Sequence, residues 1–286
     1  MTATGAAAMA GGRPPATVIV AARNEERHIA ECLRSLGAQT WSPLEIIVVD
    51  DGSTDHTADV VRGFRGVRLI RQPHRGKAPA VNRAAAVAGG DALVFVDGDL
   101  VLEPDYVERL VAPIFAGECI GTGHATERVA NPANRWAACY QVNAGLPPDR
   151  RLALTPAELA AGSVVFRAVR AADFRRVGGF DDIGYLDDQT LAPKLGVRAR
   201  WVPEARCAHY NPETLREVFA AGAWAAHSIL VLHGGRALGR YAPPAVLVRA
   251  LRAAGRRSRP ALAVYDGVYQ TGVFWGLLRR VARRRP

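Results

Sequence analysis

No stretch of this sequence has the roughly 18 uncharged apolar residues that a helix needs to cross a bilayer. The nearest, 218–232 and 260–278, are interrupted by His227 and Ser228 and by Asp266 and Gln270. Cysteine is scarce. Cys32, Cys119, Cys139 and Cys207 stand far apart, with no C-x-x-C pair and no metal-ligand spacing. That pattern excludes a disulfide scaffold and a cysteine-based zinc site, and leaves reduced, mostly buried thiols of a cytoplasmic protein. Internal repeats and low-complexity linkers are missing as well. Residues 1–15, MTATGAAAMAGGRPP, have neither a basic start nor a leucine-rich stretch, and read as a disordered lead-in and not as a signal peptide. Acid is missing from one region in particular. From Arg236 to the end there are twelve arginines and one acidic residue, Asp266, so the net charge of +10 is concentrated there. A basic end of this kind suits an acidic partner, either nucleic acid or anionic lipid headgroups.

What is present describes a globular protein: 49% apolar and 22% charged residues in a chain of 286, enough for one large core or one core with an appendage. The first half alternates. TVIVAA (17–22), LEIIVVD (44–50), VRLIRQ (67–72) and ALVFVD (92–97) read as strands. Helices are expected at 26–38, from Thr54 to Phe64 with Ser53 or Thr54 as cap, at 78–88 and at 104–116. Continuous β-branched runs separated by helices indicate a mostly parallel sheet covered on both faces, an α/β fold. The second half is less regular. It predicts a strand near 163–167, a helix at 168–176, a turn at Gly178-Gly179, a helix at 187–195, a strand at 198–202 and a long helix from 212. Two amphipathic, arginine-studded helices around Pro243-Pro244 would follow.

Ligands of an open parallel sheet bind beyond the carboxyl ends of the strands. Three strands here end in polar groups, VAARNEE (20–26), VVDDGSTD (48–55) and FVDGDL (95–100), and would converge on one crevice. Each alone is also what a capped turn looks like. Asp97 and Asp99 lie two apart, so in extended chain both carboxylates face one ligand, with Gly98 admitting a close approach. Two hard oxygen donors suit Mg²⁺ or Mn²⁺ completed by substrate phosphates; a solvated turn is the alternative. Lys77, at a helix start, adds a cation where backbone amides already favour anions, unless it is simply a surface lysine.

The segments VIVAARNEERHIAECLRSLGAQTW, EIIVVDDGSTDHT, GKAPAVNRAAAVAGGDALVFVDGD, VGGFDD and LDDQTLAPKLG together resemble the family 2 glycosyltransferases with the GT-A fold, over residues 16 to 225. The resemblance implies that Ala21, Arg23 and Glu25 line a nucleotide pocket, that Asp51 meets the base, and that Lys77 lies near the donor. Asp97, Gly98 and Asp99 would form the D-x-D element holding the ribose and a metal-bound diphosphate. Gly162, Ser163 and the Gly178-Gly179-Phe180 turn would shape the sugar and acceptor side. Asp188 matches the catalytic aspartate of the family's usual Glu-Asp pair, and His209 stands where a third metal ligand is found, or is a buried histidine bonded to backbone.

The departures are specific. Asp187 replaces the usual Glu, Thr190 stands where an acid is common, and Pro193 interrupts the following helix. The Q-x-x-R-W signature of processive synthases is missing, since Ala223 precedes Trp224. The expectation is an inverting transferase moving a sugar from a nucleotide-sugar, UDP- or GDP-linked, to a hydroxyl on a glycan, lipid-linked sugar or small molecule. A base at Asp188 favours a hydroxyl over a polyprenyl phosphate, which needs none; the Asp187-Asp188 pair could instead cap a helix. A nucleotidyltransferase would need a Gly-rich basic loop after the first strand. A nucleic-acid-binding module would not carry an acidic crevice. The implied organisation is a catalytic region 16–235, divided into a nucleotide half 16–118 and an acceptor half 119–235. The basic extension 236–286 would be either an amphipathic cap or a peripheral anchor on the inner membrane face, with Tyr269, Phe274 and Trp275 at the interface.

Overall fold

The computed structural model describes residues 12–152, 154–184, 186–233, 241 and 260–282. Most of the expected lead-in and the Pro243-Pro244 helix pair lie outside these residues; of the arginines from Arg236 onward, Arg279 and Arg280 are inside them.

Strands β1 (Ala16–Ala22), β2 (Leu44–Asp51), β3 (Val67–Gln72) and β4 (Ala92–Asp97) pair in parallel in the order β3-β2-β1-β4. Their unbroken apolar runs follow from burial on both faces. Val18, Val20, Val48, Val94 and Val96 enter one core with α1 (Ile29–Gly37) and α4 (Tyr106–Phe115). Ile19, Ile47, Val49, Leu93 and Phe95 enter a second core with α3 (Lys77–Ala85) and α7 (Ala171–Arg176). In this second core Phe95, Phe174 and Phe180 form a triangle with ring centroids 5.0–5.2 Å apart. Each such pair adds about 0.5–1.5 kcal/mol beyond the area it buries. Between β2 and β3, α2 (Thr57–Arg62) takes His56 as its N-cap and uses no side-chain cap, so neither Ser53 nor Thr54 caps it.

Beyond β4 the sheet becomes mixed, continuing β7-β6-β8-β5. β7 (Ala168–Arg170) runs antiparallel to β4 and to β6 (Gly121–Val129). It is short and lies just after the expected 163–167, whose Ser163 instead makes an isolated bridge with Ala199. β8 (Arg200–His209) is twice the expected length, parallel to β6 and antiparallel to β5 (Leu100–Leu102). Neither β5 nor β6 is apparent in the sequence. Gly-Thr-Gly-His dilutes the apolar pattern of β6, and three residues are too few to show a period. The registers Leu100↔His209 and Val129↔His209 matter most, because they bring the turn after β4 against the end of β8.

Between β6 and β7 lie α5 (Arg135–Ala144) and α6 (Pro156–Ala161). A 3₁₀ turn (Asp187–Gln189) and α8 (Leu191–Leu195) replace the single helix expected at 187–195. The long helix α9 (Leu215–His233) packs along α10 (Pro260–Ala282) through Ala226, Leu230, Val273 and Leu277. No helix of the described residues is long and apolar enough to cross a membrane. Tyr269 is partly buried where these helices pack, whereas Trp275 is 49% exposed beneath Arg279.

Candidate active site

The loops after β1 and β2 are tied together at the carboxyl edge. Asn24, held at a positive φ of 58°, donates its N–H to Ser53 Oγ at 3.0 Å and accepts the Thr54 N–H at 2.8 Å. That duty removes Ser53 and Thr54 from capping. Ala21 is half-buried at the strand end and Arg23 is exposed beside it. Asp51 is buried and accepts from Gln72 (2.8 Å), His74 (2.7 Å) and the backbone N–H groups of Arg75 (2.8 Å) and Gly76 (2.9 Å). Two carboxylate oxygens accept about four hydrogen bonds, so this set saturates Asp51, which fastens the β3–α3 loop to β2.

Asp97 and Asp99 do not share a ligand face. A turn at Gly98-Asp99 ends the extended chain at Asp97, and the two carboxylates go separate ways. Asp97 is paired with Lys77 Nζ on one side and lies 3.1 Å from Arg167 on the other. Burial alone would raise its pKa; the two cations outweigh burial and hold it far below the usual carboxylate range. Asp99 instead meets His209 Nε2 at 3.0 Å, and the other nitrogen of His209 is 2.6 Å from Glu127. Burial, with Arg151, would lower the imidazole pKa, but Asp99 and Glu127 leave it raised. His209 is therefore bonded to side chains, not to backbone. The space a side chain at Gly98 would fill is taken by Glu25, Ile29 and Ala22, 3.2–3.4 Å from an added Cβ. Burial and then the Asp99 and Asp97 charges push Glu25 well up, so it sits under the turn as an acid inclined to keep its proton.

On the opposite side, Asp187 and Asp188 form the 3₁₀ turn before α8. Burial pushes the Asp187 carboxyl up to about 7, against the pull of Lys77 and with repulsion from Asp188 and Asp97. Asp188 remains partly exposed. The Lys77 ammonium, which burial would lower, is kept raised by Asp97, Asp188 and Asp187, so one lysine serves acids from both sides of the crevice. Gly179 has a φ of 72° and lies so close to Asn82 that a Cβ would fall 2.2 Å from its Oδ1. The turn is pinned there by Asn82, which donates to the Phe180 carbonyl (2.8 Å) and accepts its N–H (3.0 Å). Phe180 itself turns into the core and offers the site only its backbone. Gly162 and Ser163 line a chamber of about 280 Å³ with His124, Arg167, Arg198 and Trp201.

The family model described as Glycosyl transferase family 2 matches residues 17–178. The chain belongs to glycosyl transferase family 2. Among curated relatives, the putative glycosyltransferase EpsH of Bacillus subtilis is 34% identical over 102 residues, 34% of this chain and 30% of that one. The probable glycosyltransferase YdaM of the same organism is 28% identical over 225 residues, 70% and 52% of the two chains. The first relatives are matched over about a third of their own length. Among solved structures, the mannosyltransferase PcManGT of Pyrobaculum calidifontis, in complex with GDP-Man and Mn²⁺, superposes with a TM-score of 0.58 at 24% identity, covering 96% of this chain and 88% of that one. S. aureus TarS 1–349 with UDP-GlcNAc gives 0.56 at 17% identity, covering 93% and 92%. These likenesses establish the GT-A fold of this family 2 member.

Two groups of this family 2 site were not apparent in the sequence. Arg167 is the lone charge in the apolar run from Val164 to Val169, and that isolation is the signal that could have revealed it. Its Nε is buried without a hydrogen-bond partner among the described residues. Glu127 carries no such signal, since β6 does not stand out as a strand. Asp99 and His209 fit a divalent ion. A carboxylate oxygen and an imidazole nitrogen are donor types that such an ion accepts, and Asp99 Oδ2 and His209 Nε2 lie side by side in a direct contact of 3.0 Å. Asp97 does not join them, being neutralised by Lys77 and Arg167.

Proposed function

We propose that this protein transfers a sugar, with inversion, from a UDP- or GDP-sugar to a hydroxyl acceptor, using Mg²⁺ or Mn²⁺ at Asp99 and His209. The observation that carries the reading is the division of the carboxyl edge. A metal-type donor pair lies on one side, a partly exposed acid lies on the other, and Lys77 stands between them. PcManGT with GDP-Man and Mn²⁺ and TarS with UDP-GlcNAc support the donor class. When bound, a divalent ion would stabilise the charge that builds on the departing diphosphate. Asp97, held ionised, is suited to accept hydrogen bonds from the donor's ribose. Ala21, Arg23 and Glu25 border the space for the nucleotide. Asp188 takes the proton of the attacking acceptor hydroxyl, and buried Asp187 orients the turn that presents it. Gly162, Ser163 and Gly179 provide the backbone walls on the acceptor side.

The extension 236–286 serves as peripheral attachment to an anionic membrane surface, supported by its arginines and by exposed Trp275. Co-sedimentation of the full chain with anionic vesicles should fall as salt rises, and salt-independent or absent binding removes this part.

The decisive experiment is a thermal-shift panel of UDP, GDP, TDP and CMP with Mn²⁺ or EDTA, followed by turnover of the sugar nucleotide that the best ligand indicates. A metal-dependent shift by UDP or GDP and sugar transfer are expected. No shift with any nucleotide overturns the reading. Transfer to a polyprenyl phosphate that survives Asp188→Asn would replace the hydroxyl acceptor.

A further inference from the structure

Behind His209 runs a line of buried polar side chains that none of the roles above uses. Glu127 Oε1 is 2.6 Å from His209 Nδ1 and 3.1 Å from Arg151 Nε. Its other oxygen is 3.0 Å from His124 Nε2, and His124 Nδ1 is 2.8 Å from the Tyr106 hydroxyl. Glu127, His124 and Tyr106 are 5%, 2% and 0% exposed. Placing a carboxylate in such a setting carries a desolvation penalty of several kcal/mol, which its partners must offset. An apolar side chain would join β6 to β8 without that penalty.

The ligand atoms of His124, Glu127 and Cys207 lie within 4.8 Å of one another, close enough to surround an ion of their own. Their hydrogen bonds speak against that use. Both oxygens of Glu127 and both ring nitrogens of His124 already have protein partners, and the one anion among the three is balanced by Arg151 and His209. The outer end of the line is the Nε2 of His209, which meets Asp99 at the carboxyl edge, 3.0 Å away.

We infer that Glu127 is a positioning residue for His209, supported by His124 and Arg151, and this rests on the proposed reading of Asp99 and His209 as metal ligands. An ionised carboxylate can only accept, so Glu127 takes the Nδ1–H of His209. That turns Nε2 toward Asp99, 3.0 Å away, and makes it the ring nitrogen that gives up its proton to an arriving ion while Nδ1–H stays on Glu127. It also stops the ring from rotating away, because β6 and β8 are in register here and β5 holds Asp99 from the other side. The two ligands are thus fixed from three strands before any ion arrives, which is the condition for a precise site. His124 and Arg151 keep the Glu127 carboxylate itself from rotating. Tyr106 closes the line at the core.

The test is Mn²⁺ binding by the full chain in the presence of UDP or GDP, followed by electron paramagnetic resonance with detection of nitrogen coupling. Wild-type protein should show coupling to one imidazole nitrogen, lost in His209→Asn. Glu127→Gln should bind nucleotide in EDTA as wild type does, yet bind Mn²⁺ about 10–100-fold more weakly with diminished nitrogen coupling. Unchanged Mn²⁺ affinity and coupling in folded Glu127→Gln overturn the inference while leaving His209 a ligand. A wild-type spectrum without nitrogen coupling, together with an unaffected His209→Asn, removes the ligand reading itself, so the two failures are distinct. If Glu127→Gln does not fold, Glu127→Asp takes its place. Its carboxylate is one carbon–carbon bond, about 1.5 Å, short, and wild-type Mn²⁺ affinity in that variant overturns the inference equally.

Discussion

Between the parallel strands β3-β2-β1-β4 and the mixed strands β7-β6-β8-β5, the sheet changes both its construction and its chemistry. The parallel part makes each strand, loop and helix from consecutive residues, and its strand ends and the turns after them carry the acids Glu25, Asp51, Asp97 and Asp99. The mixed part is assembled from segments up to about a hundred positions apart and supplies what governs those acids: Arg167 for Asp97, and His209 with Glu127 for Asp99. Two carboxylates separated by one glycine therefore end up with opposite duties. One is held ionised between two cations; the other is paired with an imidazole. The lesson is that a short acidic motif acquires its chemistry from the strand that comes to lie beside it.

The strongest way to break this comparison is at Asp188, the acid of the mixed part proposed above as the base. Asp188→Asn should lower transfer to a hydroxyl acceptor by about 10²–10⁴-fold while nucleotide affinity and melting temperature hold. Transfer near the wild-type rate would move the base elsewhere. Next comes the join between the two parts. Arg167→Met removes one of the two cations on Asp97 and should destabilise the fold by about 2–4 kcal/mol in urea unfolding, since a buried charge is left half-paired. A change below about 1 kcal/mol would mean that Lys77 alone suffices and that the parts are not coupled through Asp97.

A smaller effect is expected at Asp187, where the coupling is read through pH. An aspartate in the unfolded chain ionises near about 4, whereas burial pushes Asp187 up to about 7 in the fold. Between these values the folded state keeps a proton that the unfolded state has released. The stability this group contributes therefore falls as pH rises through the window. Asp187→Asn should match wild-type stability near pH 4 and exceed it by something of the order of 1–3 kcal/mol at pH 8. A difference that does not vary with pH would contradict the burial account. The smallest effect belongs to the surface counterpart of the buried pairs. Arg27, after β1, meets Glu213 and Glu217 at the start of α9, each at 2.9 Å, but its side chain is half exposed. Arg27→Ala should cost only about 0.2–1 kcal/mol, less in high salt. A larger loss would show that the exterior contact, not the buried one, fastens α9 to the parallel part.

The parallel part was legible in the sequence because its signals are local. A β-branched run, a polar turn and an amphipathic helix each occupy fewer than twenty residues, and β1 to β4 appear within a residue or so of where the pattern puts them. The mixed part was legible only in outline. β7 is three residues long, β5 likewise, and β8 continues to His209 because β5 and β6 flank it, which nothing in its own residues announces. Asp51, expected to meet the base, is bonded to its own loop, and Phe180, expected in a turn on the acceptor side, turns its ring into the aromatic core.

By itself the sequence determined the α/β class, the order of the parallel strands' motifs, the acidic crevice at their carboxyl ends and the resemblance to family 2, because hydrophobic period and turn chemistry act over a few neighbouring residues. Only the tertiary structure decided which cation neutralises Asp97, which imidazole faces Asp99 and which carboxylate stands behind that imidazole. Those pairings depend on strand register across the mixed sheet, and a shift of one residue in register would turn every one of these side chains to the opposite face.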